Sequence, residues 1–365
     1  MTGGTTVERM NPGLDVMARD LPALPAPDGA GGWEAGRASL ISLLADGEYG
    51  QLPPPPVGLS YAVTKKTVLT DDAGGTRTWF QIEVMTPGGR FAFPFRLDLP
   101  AGDAPAPVFL HLSFFPDSPD PSCPAERLRQ RGYGVATLGY GAIAPDRQDG
   151  LDELLPARFN ASRRDGRGSG AIGYWAWAAQ RVLDILTLLP GVDAARIAVI
   201  GHSRLGKTAL WCGATDERFA LVVSVQSGCS GAAVTRGKAG ERVANIAATF
   251  PHWFCTDYAR YAGREQDMPF EQHMLLAAVA PRLLYVCSAQ DDQWADPASE
   301  FLGCVAASPA WERLGLPGLL APDAYPEPEA FHPEGRIGYH LRAGGHALHA
   351  DDWERILDFW DRHAR

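Results

Sequence analysis

The chain has 365 residues, 45% hydrophobic and 21% charged, enough to bury one large α/β core or two smaller ones. Its formal net charge of −10, without any cluster of Lys and Arg, argues against nucleic acid and against a membrane as partners, and nothing approaches 18 consecutive apolar residues. Met1 is not followed by a basic start and an apolar run, and six cysteines form neither C-x-x-C pairs nor a dense scaffold, so a cytoplasmic protein with reduced thiols and no cysteine-held metal is expected.

Residues 1–55 are rich in Gly, Pro and Ala, carry one helical stretch from Trp33 to Leu44, and run into Pro53-Pro-Pro-Pro56. They read as an N-terminal arm ahead of a single domain over 56–365. Thr78 to Met85 and Arg90 to Leu99 alternate with period two around Pro87-Gly-Gly89, which predicts an antiparallel hairpin. From Ala106 onward the pattern changes. Short apolar runs from Val108 to Leu112, Gly134 to Leu138, Ile197 to Ile200, Leu221 to Val225, Leu283 to Cys287 and Ile337 to Leu341 alternate with helical stretches, which predicts an α/β fold with a mostly parallel sheet. The stretch from Tyr174 to Leu189 is apolar over most of a helical surface, so it should pack on the sheet with its tryptophans in the core.

The segment Arg196-Ile-Ala-Val-Ile-Gly201-His202-Ser203-Arg204-Leu205-Gly206-Lys207-Thr208 satisfies two incompatible motifs. As G-x-x-x-x-G-K-T it matches the loop whose amides and lysine hold a nucleotide's phosphates. As a β-branched strand followed by Gly-x-Ser and a helix, it matches a nucleophile elbow, which thrusts a serine out of a sharp turn. A phosphate loop also needs an acidic strand end for magnesium, which Leu283 to Asp292 could imitate, but such a loop normally follows the first strand of its domain. Here several strand candidates come earlier.

Chain order favours the elbow. Ser203 follows one predicted strand, Asp292 a later one and His346 the last, which is the Ser, Asp, His order of α/β-hydrolase triads. Each member has a plainer alternative. Ser203 could be a helix N-cap, and His349 rivals His346, although Gly344 and Gly345 leave the His346 loop freer to turn. Asp291 reads as a solvated turn residue and Asp296, before Pro297, as a helix cap.

Gly-His-Ser203-Arg-Leu-Gly-Lys, Ser227-Gly-Cys-Ser-Gly, Phe250-Pro-His-Trp-Phe-Cys, Glu271-Gln-His-Met-Leu, Gln293-Trp294-Ala-Asp-Pro and Gly344-Gly-His346 resemble, in this order, the bacterial glucuronoyl esterases of carbohydrate esterase family fifteen. The resemblance implies an α/β-hydrolase fold, a three-layer sandwich with an N-terminal antiparallel hairpin, and cofactor-free cleavage of esters of 4-O-methyl-glucuronic acid. It makes Ser203 the nucleophile, His346 the base, Arg204 the oxyanion-stabilising arginine, Trp294 the ring over the uronate and Glu241 a ligand of a sugar hydroxyl. Lys207, one helical turn after Ser203, is spaced to reach sugar oxygens. Arg204 could instead be a surface ion-pair partner. The expected partner is a uronate ester, small or oligosaccharide. Two alternatives are an acetyl-sugar or general carboxylesterase, and an inactive carbohydrate-binding module on the same fold.

Two departures stand out. Fungal members carry the triad glutamate where this chain has Gln226, which cannot hold an anionic bond to an imidazole, whereas some bacterial members resemble this chain in having an aspartate two residues before the tryptophan, here Asp292. Secreted fungal enzymes also place cysteines beside the serine and the histidine, where this chain has His202 and Ala347.

Overall fold

A computed structural model describes residues 19–25, 32–116, 120–163, 167–321 and 324–363, so the start of the arm, with the expectation drawn from Met1, lies outside the described residues. Among those described, β1 (Gly58–Val68), β2 (Thr76–Thr86), β3 (Gly89–Leu99), β4 (Ala106–Ser113), β5 (Gly134–Gly139), β6 (Val192–His202), β7 (Leu221–Val225), β8 (Leu283–Ala289), β9 (Ala330–His332) and β10 (Ile337–Arg342) form one sheet. Its order is β1-β2-β3-β5-β4-β6-β7-β8-β10-β9. The block from β5 to β10 is parallel, and β1, β2 and β3 join it antiparallel at β5.

The apolar runs lack alternation because the central strands are covered on both faces. Every residue of β4, β5, β7, β8 and β10 is buried. On β4, Val108, Leu110 and Leu112 enter the larger core, while Phe109 enters the second one on the opposite face. Helices Ala171–Leu186, Arg204–Thr215 and Pro297–Ala307 contribute to the first core, and Ala350–His363 covers the second with Trp353, Ile356, Leu357 and Trp360. The result is the expected three-layer sandwich. Trp175 and Trp177 are core residues, as predicted.

The hairpin forms with Thr86 opposite Gly89, and the cross-strand partners Phe80 and Phe95 stack with ring centroids 4.7 Å apart. The sequence pattern misses β1. That edge strand is exposed along most of its length, and a register shift between Val63 and Lys65 breaks its alternation, so it has no period-two apolar signature. In the segment read as an arm, helix Gly32–Leu44 buries Trp33, Leu40 and Leu44. Trp33 Nε1 donates to Ala280 O at 3.3 Å and the Tyr49 hydroxyl to Ser230 O at 2.8 Å. No helix among the described residues is long and apolar enough to cross a membrane.

The topology brings three loops to one edge of the sheet, because Ser203 follows β6, Asp292 follows β8 and His346 follows β10 in a parallel array. The second core rests on the C-terminal helix, where Trp360 is 2% exposed and meets Phe109 edge-on at 4.7 Å. Trp360→Ala should therefore cost about 3–5 kcal/mol in urea unfolding, and an unchanged midpoint would show that this layer is dispensable.

Candidate active site

Strand β6 delivers the chain to helix Arg204–Thr215 through a single residue, Ser203, at φ 59° and ψ −126°. A non-glycine residue there stores roughly 1–3 kcal/mol, which the surroundings must hold. Ser203 N donates to Val225 O at 2.9 Å and Gly206 N donates to Ser203 O at 2.9 Å, so both sides of the turn are tied. A Cβ on Gly201 would lie 2.0 Å from Leu205 O, so this close approach of strand and helix requires glycine.

The same geometry rules out the phosphate loop. The helix begins at Arg204, which puts Gly206, Lys207 and Thr208 inside it, and the amides of Gly206 and Lys207 are already bonded to Ser203 O. The Lys207 ammonium is buried and donates to Ser227 O. The Ser203 side chain makes no capping hydrogen bond to the helix, so the N-cap alternative falls as well.

His346 Nδ1 lies 2.6 Å from Asp292 Oδ2. With Nδ1–H donating, the imidazole presents a bare Nε2, the tautomer a general base requires. Burial alone would raise the Asp292 carboxyl, but the hydrogen bond and charge of His346, helped by the Ala295 N–H, hold it below the usual carboxylate range. Ser203, Asp292 and His346 line one cavity of about 360 Å³. His349 does not. Its N–H donates to Asp352 Oδ2 at 2.8 Å, while Asp291 is exposed and Asp296 caps the next helix by accepting from Ser299 N at 3.1 Å.

Arg204, Lys207, Glu241 and Trp294 line the same cavity, joined by Phe250 and Trp253. Trp294 is 57% exposed at the rim, whereas Glu241 is buried to 9%. The Arg204 guanidinium lies 4.9 Å from the centroid of Trp253 and 5.6 Å from that of Phe114, in an aromatic surround. It is paired with Asp146, which also accepts from Trp253 Nε1 at 2.6 Å and contacts His252 Nε2 at 2.9 Å. Sequence reasoning missed Asp146. It sits in an irregular loop after β5 with no periodicity around it, and Arg204, His252 and Trp253 lie 58 to 107 residues away.

A separate buried trio, Cys287, His340 and Asp352, carries metal-ligand atom types, but its contacts of 2.8 to 3.4 Å are those of a hydrogen-bonded cluster, with Arg342 Nε 3.3 Å from Asp352. All six cysteines are free thiols.

A family model described as "Glucuronyl esterase, fungi" matches residues 82–315. The chain is 42% identical over 241 residues, 65% of its length, to "Carbohydrate esterase MZ0003" of an unknown prokaryotic organism, and 27% identical over 78% of its length to a 4-O-methyl-glucuronoyl methylesterase of Podospora anserina. It spans 55% and 56% of the length of these two relatives. Its fold matches the solved glucuronoyl esterase from Solibacter usitatus with a TM-score of 0.84 at 34% identity, covering 93% of this chain and 97% of that one.

Burial opposes ionisation of Asp146, but hydrogen bonds from His252 and Trp253 and the Arg204 charge prevail and bring its carboxyl down to about 2. A depressed carboxyl contributes stability that is fully present above its unfolded value, about 3.9, and fades as pH falls through the folded value. The difference in melting temperature between the wild type and Asp146→Asn should therefore shrink from pH 4 to pH 2. A constant difference would show that the charge of Asp146 is not what stabilises this corner.

Proposed function

Because the chain belongs to the glucuronoyl esterase family, we propose that it is a serine-type carboxylic ester hydrolase cleaving esters of glucuronic acid, including its 4-O-methyl ether. The observation that carries this reading is the His346–Asp292 pair sharing one cavity with a serine held on a strained elbow. In the proposed sequence Ser203 Oγ attacks the C6 carbonyl carbon and gives its proton to His346 Nε2, while Asp292 stabilises the imidazolium. The tetrahedral oxyanion forms beside Arg204, whose backbone N–H at the first helical position has no partner within the helix and whose guanidinium supplies a cationic donor. Collapse expels the alcohol, protonated by His346. Water then attacks the acyl-enzyme by the same proton path and releases the free uronic acid and Ser203.

Specificity for a uronate rests on the polar groups that line the cavity with the serine. Lys207 and Glu241 offer a cation and an anion to sugar hydroxyls, and the exposed Trp294 offers an apolar face to the ring. A simple acetate ester would leave those groups unused. The cavity is at the small end of the roughly 300–1,000 Å³ range of ligand sites, which suits one uronate residue with the rest of a substrate outside. What supports a cytoplasmic, reducing compartment is cysteine usage, because all six thiols are free and five are buried.

Benzyl D-glucuronate hydrolysis compared with p-nitrophenyl acetate, in the wild type and Ser203→Ala, tests the activity. We expect serine-dependent cleavage of the glucuronate well above the acetate rate; acetate cleavage alone would move the function to a general or acetyl-sugar esterase. Asp292→Asn should lower kcat by about 10³-fold or more through the wrong histidine tautomer, and near-normal turnover would remove Asp292 from the triad.

A further inference from the structure

Gln226 has no step in the reaction above, yet its side chain joins the strand of the nucleophile to the loop of the base. It follows β7 directly at φ 48°, in the left-handed region, where a non-glycine residue gives up about 1–2 kcal/mol. Its backbone N–H is bonded to Cys287 O at 2.8 Å. Its Nε2 donates to Ala347 O at 2.9 Å, and its Oε1 accepts from Ala347 N at 2.8 Å. These two bonds fix the amide, because reversing it would set oxygen against oxygen and N–H against N–H.

The second lone pair of Oε1 faces His202 Nε2 at 3.3 Å, so His202 donates through Nε2. Burial, reinforced by the neighbouring His346, pushes His202 down to about 4 and keeps it neutral. His202 immediately precedes Ser203, and Ala347 immediately follows His346. The two imidazole rings lie 4.4 Å apart between centroids.

The His346 loop needs such a tie. It contains Gly344 and Gly345, the first at φ 87°, so its backbone is inherently free. Arg342 restrains its shape by donating to Ala343 O at 2.8 Å, Gly345 O at 2.6 Å and Ala347 O at 2.5 Å. Arg342 belongs to the same β10 segment, however, and so cannot set the distance from the loop to β6. Gln226 bridges that distance.

We propose that Gln226 is a positioning residue that holds His346 in register over Ser203 by bridging His202 and Ala347. This rests on the Ser203 and His346 assignment above. The amide is 1% exposed and carries no charge, so its effect runs through alignment of the imidazole.

The test is Gln226→Gly, which removes the amide while relieving the left-handed backbone, a gain of about 1–2 kcal/mol that offsets part of the lost hydrogen bonding. With benzyl D-glucuronate, kcat should fall about tenfold or more, the order expected when one or two aligning hydrogen bonds are lost, with KM and the acid limb of the kcat/KM pH profile unchanged and the melting transition still well above the assay temperature. Turnover within twofold of wild type overturns the proposal, as does a raised KM at unchanged kcat, which would make Gln226 a substrate contact, or a drop in melting temperature that accounts for the lost activity. Ser203→Ala, run in parallel, separates the claims. If it retains activity, the acyl-enzyme reading falls and the positioning role with it; if it is inactive while Gln226→Gly is fully active, the positioning role alone falls.

Discussion

One residue held at φ 59° and ψ −126° organises this molecule. A serine keeps that backbone only where its neighbours fix both ends of the turn, and here β7 accepts the Ser203 N–H while the helix takes the Ser203 carbonyl. Both fixtures depend on the parallel sheet. The strand order sets β7 next to β6 and β8 next to β7, so the same parallel array that holds the Ser203 turn also brings the Asp292 loop to its end of the sheet. Gly201 is the steric condition, since any side chain there would meet Leu205 O.

Around that turn the protein uses buried polar groups to fix loops. Glu300 accepts from Gly228 N at 2.9 Å and from the Ser288 hydroxyl at 2.6 Å, pinning the loop that carries Ser227 and Gly228 into the cavity wall. Burial raises its carboxyl to about 7, and that of Glu48, which is bonded to Gln272, to about 8. Both acids accept hydrogen bonds in sites where an ionised carboxylate is costly to bury. Glu48 comes from the segment that composition alone assigns to an arm, so that segment contributes a buried hydrogen-bonding group to the domain.

The architecture, and the meeting of Ser203, Asp292 and His346 in one cavity, were legible in the sequence because both leave local marks. Doubly covered strands give unbroken apolar runs, a half-covered hairpin alternates, and a nucleophile elbow needs glycines at fixed offsets from its serine. β1 left no mark, since an exposed, bulged edge strand has no core face to write into the pattern. The supporting residues were illegible for a different reason. Asp146, His252 and Gln226 act through contacts to residues 24 to 121 positions away, and no spacing rule covers pairs that only the finished sheet brings together. Gln226 was legible as a departure, a glutamine where the fungal pattern has an acid, while its bridging role required the position of Ala347.

The proposed reaction passes through a covalent uronoyl group at Ser203. Rapid acid quench of the wild type during turnover of benzyl D-glucuronate, followed by peptide mapping by mass spectrometry, reads it directly. The predicted result is a uronoyl adduct on the peptide carrying Ser203, absent in Ser203→Ala. Turnover with that peptide unmodified at every quench time, or an adduct on another residue, would contradict it.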